Sequence, residues 1–163
     1  MILTEKAIRA QRAALDPYRD CLAGDDFAIV VAICSEEVPG HAPMAERSDI
    51  EALRKALEAM GYLPDSLALI DLAARQLSPG ELRILVEQID PVAIVALDSP
   101  SSAALYASFG SAVRDCVDIR EGVKVLMGRK VVSIDGFAAS LEDPERKREA
   151  WQRLRELAHW RSR

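Results

Sequence analysis

The chain has 163 residues and a formal net charge of −5; half of its residues are apolar, but only 5% are aromatic. This length is sufficient for one domain to bury its core without disulfides or metal, and we expect a single domain over residues 1–163. No apolar run approaches the roughly 20 residues that span a bilayer, and the N-terminus lacks the charged-then-apolar order of a signal peptide, so the sequence predicts a cytoplasmic protein without a membrane anchor.

The first predicted elements are a helix and a buried strand. The helical pattern runs from Thr4 to Leu15, and Tyr18 and Leu22 extend the same face. After a turn at residues 24–26, the segment from 27 to 34 is apolar on both alternate faces. A strand of this kind is typical of the interior of a parallel sheet.

Helices and strands then alternate along the chain. Ser48 and Glu51 have the spacing of a reciprocal capping box, as do Ser78 and Glu81, and each pair predicts the start of a helix. Further strands are predicted at residues 67–70 and 92–97, and Ser99-Pro100 begins another helix.

The C-terminal part predicts a hairpin and a final helix. Apolar segments 123–127 and 131–134 flank a tight turn at Gly128-Arg129, and Asp143-Pro144 begins the helix. The whole pattern predicts an α/β fold: a three-layer αβα sandwich around a central, mostly parallel four-stranded sheet. We expect its strands to begin near Phe27, Leu67, Val92 and Val123.

The cysteines and the charge distribution exclude several functions. Cys21, Cys34 and Cys116 have no paired spacing such as Cys-x-x-Cys, which excludes zinc ribbons and thioredoxin chemistry and predicts buried free thiols. Residues 144–163 contain seven basic and three acidic side chains, a net of +4, so the remainder carries −9. Because phosphate binding depends on Lys and Arg, the acidic body is a poor platform for nucleic acid.

The basic C-terminal helix is the exception. Its side chains Arg146, Lys147 and Arg148 could contact nucleic acid, although a solvated helix face is the more ordinary interpretation of such residues.

Polar residues follow each predicted strand, where ligands usually bind in an open α/β sheet. The candidate site residues, in chain order, are Glu36, Glu37, Pro39, Gly40 and His41 after the first strand, Asp71 after the second, Asp98 and Ser99 after the third, and Asp135 and Phe137 after the hairpin.

Two interpretations apply to the acidic residues. Carboxylates crowded in one cleft raise one another's pKa values and would create a general acid or base, or a seat for a divalent cation. Alternatively, each Asp caps the following turn or helix, and we favour this for Asp98 because Ser99-Pro100 immediately begins a helix. For Glu36 and Glu37 both interpretations stand equally. His41 has no Asp or Cys partner at a known spacing and is weak evidence for catalysis.

Over roughly residues 27 to 157, the motifs at these strand ends resemble those of the uracil-DNA glycosylase superfamily, most nearly its iron-sulfur branch. The segment Glu36-Glu37-Val38-Pro39-Gly40 is similar to the family's Gly-Glu-x-Pro-Gly motif. Residues 91–97 resemble its proline-led strand, with Asp98 where glycine is usual. Asp143-Pro144-Glu145 followed by Trp151 is similar to its Asn-Pro-Glu helix start and buried Trp.

The sequence also departs from that family. Asp135-Gly136-Phe137 stands at the place of its His-Pro motif, Asp71 at that of its asparagine, and the four cysteines that bind its cluster are absent. The resemblance implies a glycosylase-like fold in which Glu37 alone is left to position water. It also implies no iron-sulfur cluster and no ordinary uracil excision.

Two functions are consistent with this resemblance and its departures. One is a binding or regulatory module whose acidic cleft or basic helix binds a nucleobase, a nucleotide, DNA, a protein partner or a second copy of the chain. The other is a divergent hydrolase acting on a nucleobase or nucleotide, with Glu37, Asp71 and Asp135 as catalytic residues. We expect no cofactor; a divalent metal held by the aspartates is an alternative that no ligand motif supports.

Overall fold

A mixed β-sheet with helices on both faces organises the chain. The computed structural model describes residues 3–37, 43–63, 65–110, 117–120 and 123–159. The strands are β1 (Leu22–Gly24), β2 (Val30–Cys34), β3 (Leu67–Asp71), β4 (Ala93–Ala96), β5 (Val117–Arg120), β6 (Val123–Leu126) and β7 (Arg129–Ser133). The helices are α1 (Glu5–Leu15), α2 (Ser48–Ala59), α3 (Pro79–Ile89), α4 (Ser99–Phe109), α5 (Phe137–Ser140) and α6 (Pro144–His159).

The seven strands lie in the order β1-β3-β2-β4-β7-β6-β5. The four strands β3, β2, β4 and β7 are parallel, whereas β1, β6 and β5 each pair with their neighbours in the antiparallel direction. The predicted α/β class with helices on both faces is therefore confirmed. The predicted four-stranded sheet is wrong, because antiparallel strands extend the parallel centre on both sides.

The hairpin accounts for one error in the predicted strands. The strand that begins at Val123 is β6, which runs antiparallel, and the fourth parallel strand is β7. Met127 and Gly128 connect them with φ values of 48° and 80°, as in a type I′ turn. The chain therefore reverses at Met127-Gly128, one residue earlier than predicted, and β7 rather than β6 lies beside β4.

A second error concerns the segment before the first buried strand. Leu22 belongs to the short edge strand β1, where it pairs with Ile70, and does not extend the first helix. The buried strand itself begins at Val30 rather than at Phe27. Three paired residues are too few to give an alternating pattern, so β1 has no signal in the sequence.

Both faces of the central strands are buried, as their composition predicts. On one face Ala32, Leu69 and Val95 pack against α2 and α6, and on the other Ile33, Ile70 and Ile94 pack against α1, α3 and α4. None of the described helices has both the length and the apolar composition needed to cross a membrane.

The strand order places a topological switch point between β2 and β4. From β2 the chain passes through α2 to β3 on one side, then through α3 to β4 on the other side of β2. The segments that leave β2 and β4 consequently diverge to opposite faces of the sheet, since α2 and α4 lie on different core clusters. Such a divergence is where open α/β sheets form a crevice.

Candidate functional site

Asp98 lies at this switch point, after β4, and is only 1% exposed. Its Oδ1 accepts a hydrogen bond from the Ser101 backbone N–H at 2.8 Å. Its Oδ2 accepts from the backbone N–H groups of Ser35 at 2.8 Å and Glu36 at 3.1 Å and from the Cys34 thiol at 3.2 Å. Asp98 therefore caps α4 and also holds Ser35 and Glu36, the residues that follow β2. The prediction that Asp98 is a helix cap is confirmed.

The hydrogen bonds determine the charge of Asp98. Burial acts to raise the pKa of this carboxyl group, but the backbone N–H donors of Ser101, Ser35 and Glu36, together with the Cys34 thiol, outweigh burial and lower it. An ionised group that uses both oxygens inside the protein is an acceptor for its own chain. It is poorly suited to act as a general acid near neutral pH.

A buried ion pair lies behind Asp98. Arg47 binds Asp49 through Nε–Oδ1 and Nη2–Oδ2 contacts of 3.0 and 2.7 Å, and both side chains are 6% exposed. The Arg47 guanidinium also lies 3.6 Å from the sulfur of Cys34. Burial raises the pKa of Cys34 to about 11, although Arg47 opposes the shift, so the thiol is protonated and serves as a packing group.

The open space at this sheet edge lies between α4 and the end of β7. It is a groove of about 340 Å³ whose lining includes the buried Asp98 and the exposed Ser99 and Asp135. The side chains that complete it are Ser102, Ala103 and Tyr106 from α4, Ser133 and Ile134 from β7, and Arg153 from α6.

Paired polar groups line this α4–β7 groove. The Ser99 hydroxyl donates to Asp135 Oδ1 at 2.9 Å, and the Ser102 and Ser133 hydroxyls are 2.8 Å apart. Arg153, which also lines the groove, donates through Nη1 to the Ser133 carbonyl at 2.8 Å. The groove thus offers an exposed carboxylate, three serine hydroxyls, the Tyr106 hydroxyl and a cation within one small volume.

The structure brings some of the predicted site residues together. Asp98, Ser99 and Asp135 share the α4–β7 groove, and Glu36 is tied to Asp98 through its backbone. Glu37 follows β2 and is exposed, with no hydrogen-bond partner among the described residues. Pro39, Gly40 and His41 lie outside the described residues, so their predicted roles stay predictions.

Asp71 is separated from this group. It ends β3, and β2 and β4 lie between β3 and β7, so three strand spacings of about 4.8 Å place Asp71 roughly 14 Å from the end of β7. Its Oδ1 accepts from the backbone N–H groups of Ala73 and Ala74 at 3.0 and 3.2 Å, which caps a turn. Within the described ranges, no group of three or more His, Cys, Asp and Glu side chains is placed to hold a metal ion.

Two further predicted residues have structural contacts. Phe137 is 3% exposed within the core on the α2 and α6 face, and its backbone N–H donates to Leu97. Its side chain packs in the core and does not line the α4–β7 groove. Arg146 donates to the Asp135 carbonyl at 3.1 Å, whereas Lys147 and Arg148 are exposed on the outer side of α6.

The sequence interpretation missed four polar groove residues, Ser102, Tyr106, Ser133 and Arg153, as well as the apolar Ala103 and Ile134. Ser102 and Tyr106 follow Ser99 at helical spacing, and this repeat of polar side chains on one face of α4 was the available signal. Arg153 reaches the groove only because α6 packs beside β7, which no local pattern predicts.

In comparisons with known proteins, neither a protein-family model nor a curated protein matches the chain.

Proposed function

We propose that the chain is a binding module with a glycosylase-like α/β fold that does not carry out ordinary uracil excision. The observation that carries this proposal is the state of Asp98, both of whose carboxylate oxygens accept hydrogen bonds from the protein itself at the switch point. These bonds hold Ser35 and Glu36, which follow β2, beside the start of α4. The α4–β7 groove adjoins these residues.

The lining of the groove defines the ligand that we propose. Asp135 accepts hydrogen bonds and repels phosphate, the serine hydroxyls both donate and accept, and Arg153 provides a donor. A volume of about 340 Å³ lies at the lower end of the usual range for small-molecule sites. A nucleobase or an uncharged nucleoside, whose edges carry both donors and acceptors, fits this lining better than a nucleotide does.

A second function rests on Glu37. This exposed carboxylate follows β2, directly after the two backbone N–H groups that bind Asp98. It is therefore available to position a water molecule, as a divergent base-releasing hydrolase would require.

A base-release assay separates the two functions. Full-length protein is incubated with uracil-containing single-stranded and double-stranded DNA, with and without Mg²⁺ or Mn²⁺, and free base is quantified. We expect no release above the protein-free blank. Release that Glu37→Gln abolishes would replace the binding module with the hydrolase.

Ligand binding is tested directly by titrating the protein with uncharged nucleosides in a calorimeter. Asp135→Asn is expected to weaken binding about tenfold, since a hydrogen bond to a charged group contributes roughly 1.5–3 kcal/mol. Asp71→Asn is the matched control, because it removes the same charge from the same sheet edge outside the groove. Equal losses from both variants, or no binding by the wild type, would refute the proposed groove ligand.

A further inference from the structure

The exposed side of α6 carries a second surface that is distinct from the α4–β7 groove. Lys147, Arg148, Trp151, Gln152 and Arg155 line a shallow groove of about 570 Å³ that begins at the first residue of the helix, Pro144. We call these five residues the α6 stripe. They recur every three or four residues, so they lie along one face of the helix.

The cations of the α6 stripe differ from the other basic residues around them. Arg146 and Arg153, on the same helix, are committed to backbone carbonyls at the end of β7. Lys147, Arg148 and Arg155, in contrast, form no ion pair within the part of the chain that the structure describes. Three positive charges therefore have no ion-pair partner among the described residues, in a protein whose net charge is −5.

Trp151 provides an apolar contact between these charges. Its side chain is half-buried against the core beneath α6. Lys147 and Arg155 lie four residues before and after it, about one helical turn away on each side, and Arg148 lies three residues before it. The arrangement is an apolar centre with a cation at each end.

We propose that the α6 stripe binds a short acidic peptide segment in which acidic side chains flank one apolar side chain. The charge pattern specifies this ligand: the carboxylates pair with Lys147, Arg148 and Arg155, and the apolar side chain packs on Trp151. From residue 144 to 155 the helix rises about 16 Å, which matches roughly five residues of extended peptide.

The size and surroundings of the stripe favour a peptide over a nucleic acid. Nucleic-acid affinity comes mainly from many phosphate contacts. A nucleic-acid strand longer than the stripe would extend beyond the cations Lys147, Arg148 and Arg155. Its outer phosphates would then approach the rest of the protein, which carries a net charge of −9 outside residues 144–163. A short acidic segment places its charge only where the cations are.

The test measures fluorescence anisotropy with the full chain and a labelled, end-capped peptide of sequence Asp-Glu-Leu-Glu-Asp. The double variant Lys147→Gln/Arg148→Gln is expected to weaken binding about tenfold, and Arg155→Gln about threefold. The matched control is Lys6→Gln/Arg9→Gln, which removes two exposed cations from α1 and is expected to leave the affinity within twofold. Circular dichroism confirms that each variant is folded.

Further probes determine whether the peptide chemistry matters. A peptide with Ala in place of Leu should bind about threefold more weakly if Trp151 provides the apolar contact. A five-nucleotide oligothymidylate should bind more weakly than the acidic peptide. The proposal is overturned by stronger oligothymidylate binding, by equal losses in the α1 and α6 double variants, or by no peptide binding at millimolar concentration.

Discussion

At the scale of single residues, Asp98 connects three parts of the sheet edge through one carboxylate. Oδ1 caps α4 through Ser101, and Oδ2 receives the backbone N–H groups of Ser35 and Glu36 from the neighbouring strand end. A charged acceptor strengthens each of these hydrogen bonds relative to a neutral one. The contact between β2 and β4 beyond their last ladder pairs therefore depends on the ionised form of Asp98.

Replacement of Asp98 by Asn should be costly even though the two side chains have the same shape. The amide has one acceptor oxygen, so its NH₂ group would face either the Ser101 N–H or the pair of N–H groups from Ser35 and Glu36. We expect a loss of about 2–3 kcal/mol in the free energy of unfolding, measured by urea denaturation.

Asp71→Asn is the control for this variant. Among the described residues, Asp71 accepts hydrogen bonds through Oδ1 alone, from Ala73 and Ala74, and an Asn oxygen can replace it. We expect a loss below about 1 kcal/mol. Equal destabilisation by the two variants would contradict the role that we assign to Asp98.

The difference between wild type and Asp98→Asn should also depend on pH. Because the pKa of Asp98 is lower in the folded protein than its ordinary value of 3.8, the folded state favours the ionised form. This contribution is complete above the ordinary value and is lost as the pH falls through the lower folded value. Urea denaturation at pH 7 and at acidic pH should show the difference narrowing, and a difference that widens in acid would contradict this sign.

The local part of the role of Asp98 could be predicted from sequence, and the distant part could not. A cap and its partner Ser101 are three residues apart, so the Asp-Ser-Pro pattern is sufficient. Ser35 lies 63 residues away, and its contact exists only because β2 and β4 are neighbours.

At the scale of secondary-structure elements, two sequences with the same Ser-x-x-Glu spacing begin their helices differently. Ser78 and Glu81 form both hydrogen bonds of a capping box at the start of α3, as predicted. The box predicted for Ser48 and Glu51 is wrong, because α2 begins at Ser48 and Arg47 occupies the N-cap position. A buried ion pair between Arg47, at the N-cap, and Asp49, in the first turn, stabilises the start of α2 instead.

Alanine substitutions distinguish these two helix starts. Ser78→Ala should lower the free energy of unfolding by about 1 kcal/mol because it removes the N-cap acceptor. Ser48→Ala should change it by less than about 0.5 kcal/mol, since the Ser48 side chain is exposed and caps nothing. The two variants are compared by urea denaturation, and an equal loss would indicate that Ser48 does cap α2.

The turn between β6 and β7 contains an unfavourable residue. Met127 has a φ of 48°, a region in which Asn and Gly are more stable than residues with longer side chains. Met127→Asn creates the Asn-Gly pair that type I′ turns prefer, and it should stabilise the protein by about 0.5–1 kcal/mol. Thermal denaturation measures the shift; Met127→Leu, which keeps a long side chain at the same φ, is the control and should give no gain.

At the scale of the whole molecule, strand order decides which predicted site residues meet. The sequence indicates that Asp71, Asp98 and Asp135 follow strands, because each ends an apolar segment. It does not indicate that β3 and β7 are separated by β2 and β4. A single acidic cleft was therefore a reasonable expectation, but the fold separates Asp71 from the groove that Asp98 and Asp135 share.

The position of a cysteine in this sheet also predicts how it reacts. Cys21 and Cys34 are buried, and burial raises the pKa of each to about 11. At pH 8, the thiolate fraction is then roughly a hundredfold below that of an ordinary exposed thiol, and access requires opening of the structure. The two residues differ in which strand must separate from the sheet before the thiol can react. Cys21 precedes the three-residue edge strand β1, whereas Cys34 ends the central strand β2.

We therefore expect Cys21 to react faster than Cys34. The experiment uses the Cys116→Ser protein, iodoacetamide at pH 8 and peptide mapping by mass spectrometry over time. Separation of β1 from β3 exposes Cys21 locally, whereas exposure of Cys34 requires loss of the contacts of β2 with β3 and β4, so its labelling should follow global unfolding. Added urea should accelerate Cys34 more steeply than Cys21, since global opening exposes more surface. Equal rates and equal urea dependence would mean that the sheet opens as one unit and that β1 has no separate local stability.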